Sequence, residues 1–153
     1  MNPFDPKAAL LARHAQHVVL VHFPIALFLT GVVFDFAAEW ERKDGKRTAL
    51  AAAARLNILA AAIFVLPTLA TGIAAWQWQL GGPQLKGLLL LHLALGSASG
   101  LLICVVAWIH SRRGGVSRSV LPAYYLPLEV LTVVVIALTA HIGGFVSGVN
   151  VPG

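Results

Sequence analysis

The chain has 153 residues, 58% hydrophobic and 11% charged, with a formal net charge of +5 at pH 7. A soluble domain carries ~25% charged residues, so this composition excludes an ordinary water-soluble globule and indicates a single membrane-embedded domain. The lone cysteine, Cys104, excludes an internal disulfide, covalently attached haem c, an iron–sulfur cluster and a thiolate zinc site; the positive charge is arranged for topology, not for nucleic acid.

Residues 1–17 contain two prolines, Asp5, Lys7 and Arg13 and no long apolar core, which is not the pattern of a signal peptide. Apolar stretches then predict helices over about 18–40, 50–76, 88–109 and 121–146, followed by a short tail, 147–153. Each reaches the ~20 residues that cross a hydrocarbon layer as a helix. The predicted fold is an all-α integral membrane protein, a four-helix up-down-up-down bundle occupying 18–146. Pro24 and Pro67 fall inside spans, where a missing donor tends to kink the helix, and Pro127 is expected to bend or restart the fourth.

The loop Glu41 to Arg47 carries Arg42, Lys43, Lys46 and Arg47, and the loop His110 to Arg118 carries Arg112, Arg113 and Arg118. The opposite side has only Lys7, Arg13 and Lys86. The positive-inside rule puts both loops in the cytoplasm and both termini outside, as expected for a multi-pass protein of a bacterial cytoplasmic membrane. Trp76 and Trp78 then mark the outer interface, and Trp40 and Trp108 the inner one.

His22, His92 and His141 lie in three different spans, each ~7–8 Å below the outer surface. An ionisable group at that depth is by default a functional hypothesis. Imidazoles on different helices can clamp a b-type haem, and small residues beside them, Gly96 above all, leave room for a planar ring. His22 and His92 are the favoured ligands and His141 an alternative ligand or second-layer donor. Arg13 is a candidate partner for a haem propionate, while His14 and His17 read as interfacial. Three histidines could instead hold copper or zinc, or simply satisfy one another as polar packing.

A second polar layer lies nearer the cytoplasmic side. Asp35, Arg55 and Glu129 are expensive in lipid and should pair inside the bundle, with Arg55 between the two acids and Asn57 nearby. An ion-pair clasp and a proton or quinone site are the two readings. His110, at the end of the third span, reads as a cap.

The segment VLVHFPIALFLTGVVFDFAA, Val19 to Ala38, resembles the opening of a family of small bacterial membrane proteins known as DUF2231, with a histidine–phenylalanine–proline motif at His22, Phe23 and Pro24 and an aspartate at Asp35. The glycine–tryptophan region Thr71 to Trp76, His92 early in the third span and the glycine-rich HIGGFVSGVN, His141 to Asn150, extend the resemblance over most of the chain after residue 16. It implies a four-helix organisation similar to b-type cytochromes and names no ligand. No phosphate-binding loop, dinucleotide fingerprint or nucleophile elbow is present. The expected role is therefore a haem b-binding membrane subunit passing electrons at the outer face, as between quinone and a periplasmic carrier, and not an independent enzyme. The alternatives are a non-catalytic scaffold of a larger membrane complex, held by lipid and by membrane or periplasmic redox partners, and a copper or zinc protein.

Overall fold

The computed structural model describes residues 13–41, 43–79, 82, 84–112 and 124–148. Four helices account for nearly all of them: α1 (Arg13–Trp40), α2 (Asp44–Gln79), α3 (Gly87–Arg112) and α4 (Tyr125–Val146). All four are long and apolar enough to cross a membrane. The expected N-terminal segment before Arg13, most of the second basic loop, and the last residues of the tail lie outside the described residues.

Several helix ends differ from expectation: α1 begins at Arg13 and not near 18, and α2 runs beyond 50–76 at both ends. The second helix begins at Asp44, because the alanine-rich run after Thr48 contains strong helix formers and nothing that stops them. At 36 residues it extends ~54 Å, well beyond a hydrocarbon core, so its ends project past the layer or the helix tilts. Whether Pro127 restarts a helix begun before it falls on residues outside the described ones. In α4 it sits in the first turn, where no intrahelical donor is required and the fixed φ of proline suits the start of a helix.

The helices pack in chain order around a ring: α1 lies along α2, α2 on α3 and α3 on α4, while α4 returns to α1 over a shorter stretch. This leaves α1 diagonal to α3. Close approach depends on two glycines. A Cβ on Gly31 would lie 2.6 Å from Ile58 Cγ1, and one on Gly100 would lie 2.9 Å from Val65 Cγ1. Small residues at such crossings bring helices together where no hydrophobic drive exists between them.

The distribution of polarity is that of a protein solvated by lipid. Leu66 (72% exposed) and Ile63 (70%) point outward, whereas Asp35, Ser99, His110, Glu129 and Thr132 are buried beside Phe28, Ile58, Val106 and Tyr125. A water-soluble fold inverts this pattern.

Pro24 shows how the interior repairs a missing donor. Without an N–H it leaves the carbonyl of Leu20, four residues earlier, without its helical partner. The Thr68 hydroxyl from α2 faces that oxygen at 3.3 Å while also reaching its own Phe64 carbonyl at 2.8 Å. Inside a bilayer no water can substitute for it. Thr68→Val, similar in shape, is therefore expected to lower stability by about 1–3 kcal/mol in a detergent unfolding titration.

Candidate functional site

One end of the bundle carries two matching histidine contacts. On α1, His17 points its Nδ1 at the Thr68 carbonyl of α2, 3.1 Å away, with the Thr71 hydroxyl at 3.4 Å. On α3, His92 points its Nδ1 at the Thr139 carbonyl of α4, 3.2 Å away. A carbonyl only accepts, so Nδ1 of each ring carries the hydrogen and donates it, leaving the Nε2 lone pair for another partner. Four residues beyond each carbonyl is a glycine against the ring. A Cβ on Gly72 would lie 2.9 Å from His17 Cε1, and one on Gly143 would lie 2.9 Å from His92 Cε1.

The helical hairpins α1–α2 and α3–α4 thus present the same device twice. The likeness continues down the helices, because roughly 18 residues, five full turns, separate His17 from Asp35 and His92 from His110. Each helix therefore carries its two polar groups on one face, one at either end of the bundle. On the second hairpin the Ser99 hydroxyl donates to Thr139 Oγ1 at 3.0 Å, since the Thr139 hydroxyl is itself directed at the Val135 carbonyl.

The other histidines expected at this layer do not join the pair. His22 is exposed and turns its Nδ1 to the Val18 carbonyl of its own helix. His141 is exposed and meets the edge of Phe145, with ring centroids 5.1 Å apart. Among the described residues no group of three histidines converges as a metal cage. His92 alone of the expected three turns into the bundle, and His17, read from the sequence as interfacial, is its counterpart. Gly96 makes only ordinary contact with Thr139 Cγ2, at 3.7 Å. The side chains of Arg13 and His14 lie outside the described residues.

At the opposite end, Asp35 of α1, His110 of α3 and Glu129 of α4 converge, with their ligand-type atoms all within 4.8 Å of one another. His110 Nε2 lies 2.9 Å from Asp35 Oδ2 and 3.9 Å from Glu129 Oε1. The Tyr125 ring stands edge-on to the imidazole with centroids 5.1 Å apart. The expected cation, Arg55, is not part of this group: among the described residues it forms no ion pair and is half-buried. Arg55 sits on α2, which contributes no acid to the cluster, whereas His110 projects from α3 into the space between α1 and α4. Asn57, the expected helper, donates to Ala53 of its own helix at 2.9 Å. Glu39 pairs with Arg47 at the surface, 3.4 Å apart. Cys104 is a free thiol exposed on α3.

Neither the curated proteins nor the solved structures yield a match to this chain. A family model described as "Predicted membrane protein (DUF2231)" matches residues 13–150, which takes in all four helices and both polar layers. The chain belongs to the DUF2231 family of membrane proteins.

Proposed function

We propose that this protein is a haem b-binding membrane subunit, in which His17 and His92 would hold the haem iron, and that it passes electrons near the outer face of a bacterial cytoplasmic membrane. The observation that carries the reading is the duplicated contact just described. Two rings on diagonal helices have Nδ1 tied to a carbonyl of the neighbouring helix, a tautomer that leaves each Nε2 lone pair able to bind a metal. Metal-ligating histidines typically hold their second nitrogen in this way, which fixes the ring and raises its basicity.

The donor set fits the group. Haem iron in b-type sites takes histidine nitrogens, and one exposed cysteine leaves no thioether attachment to compete with non-covalent binding. When bound, haem supplies one-electron exchange between ferric and ferrous iron. The chain's part is to hold both imidazoles at fixed orientation, to keep Gly72 and Gly143 bare so that the rings stay seated, and to surround them with apolar helix. Lys43, Lys46, Arg47 and Arg112 cluster at the far end, so the positive-inside rule puts the histidine pair toward the outside. An electron partner there would be a quinone or a periplasmic redox protein.

The test is direct. Protein purified in detergent after haem-replete expression should carry haem close to one per chain, with a Soret band and a sharp alpha band on dithionite reduction. A colourless protein that still folds would leave the scaffold reading, in which the same histidines only fasten helices together.

A further inference from the structure

We propose that Asp35, His110 and Glu129 form a binding site for a divalent transition-metal ion of the zinc type, at the end of the bundle remote from the histidine pair. The proposal stands independently of haem.

Three helices each deliver one donor to the cluster, and all three residues are buried: Asp35 is 2% exposed, His110 6% and Glu129 0%. Glu129 is the unresolved member. Among the described residues neither of its carboxylate oxygens makes a hydrogen bond of ordinary geometry, yet both are buried. A buried carboxylate that makes no close hydrogen bond is costly, and such groups in folded proteins usually mark an ion or water that completes them. The carboxylate is aimed at the same nitrogen, His110 Nε2, that meets Asp35.

Spacing and charge agree with a cation at that focus. Donors at ~2.0–2.1 Å from a tetrahedral zinc stand roughly 3.3 Å from one another. The observed separations from Nε2, 2.9 Å to Asp35 and 3.9 Å to Glu129, bracket that value. Both separations lie within about 0.6 Å of that value, and all three donor atoms lie within 4.8 Å of one another. Two carboxylates and a neutral imidazole carry a charge of −2, and a divalent ion brings the cluster to neutrality in an interior where net charge is disfavoured. Arg55 does not supply that charge. One nitrogen and two oxygen donors suit zinc, and also manganese or iron in their divalent states. Three protein donors leave a tetrahedral ion one open position. Tyr125, against the face of the site, keeps the His110 ring from turning away.

The experiment uses full-length protein in detergent, stripped with a chelator and titrated with zinc and with cobalt(II). The expected result is stoichiometric binding near one ion per chain, with cobalt d–d bands of tetrahedral intensity that zinc removes. Glu129→Gln and Asp35→Asn should each weaken binding by more than the roughly 10- to 100-fold that loss of an outer-layer partner costs. His110→Asn provides a third variant should either acid change impair folding, and helical circular dichroism with monodisperse elution qualifies each protein. The double change His17→Ala with His92→Ala should leave zinc binding unchanged. Wild-type protein that takes up no stoichiometric ion overturns the proposal. So does binding that survives Glu129→Gln, or binding that disappears only in the His17/His92 double variant.

Discussion

Replacing either His17 or His92 by alanine is expected to abolish stable haem retention, while His22→Ala and His141→Ala keep it. Both inward rings donate Nδ1 to a carbonyl of the neighbouring helix, which leaves the Nε2 lone pair of each uncommitted. His22 and His141 instead stand exposed on the outer faces of their helices, His22 donating Nδ1 to its own Val18 carbonyl and His141 meeting Phe145, so neither turns into the bundle. Haem per chain, measured on pyridine-extracted samples of the four variants, separates the groups. Loss of even one axial bond to a non-covalently held haem exceeds the roughly 10- to 100-fold that an outer-layer change costs in affinity, so purification should strip the cofactor. Retention in His17→Ala with loss in His22→Ala would reassign the ligand.

Asp35→Leu should be the most damaging single change to stability at the other end, about 3 kcal/mol or more, because it strands a buried imidazole donor whose other acid is 3.9 Å away. Arg55→Gln is expected to change stability by under ~0.5 kcal/mol, as ordinary substitutions outside a buried network do. Equilibrium unfolding of both variants in mixed micelles checks the contrast. Equal losses would restore Arg55 as the partner of Asp35.

The helices were legible because each apolar run is long and only weakly interrupted, and periodicity and length do not depend on what packs against what. The inner polar layer was half legible. Asp35 and Glu129 announce themselves by charge in an apolar run, but their partner depends on helix rotation. Five-turn spacing would have put His110 in line with His92, as Asp35 is with His17. At the outer layer, depth was readable and facing was not. His17 lies before the run of strong hydrophobics, so it looked interfacial, whereas α1 begins at Arg13 and carries it inward. The signal available in the chain was the recurrence of Thr-x-x-x-Gly, Thr68 to Gly72 and Thr139 to Gly143, on the two helices that receive the histidines. Such a recurrence marks a duplicated hairpin, and a duplicated hairpin predicts equivalent histidines on α1 and α3.

The account rests on one haem clamped by two imidazoles, and the spin state of the oxidised iron tests it most directly. Low-temperature electron paramagnetic resonance of the wild-type ferric protein should give a low-spin signal of two nitrogenous axial ligands, lost in His17→Ala and in His92→Ala. A high-spin ferric signal from the wild type, or folded protein with no haem after haem-replete expression, would contradict it.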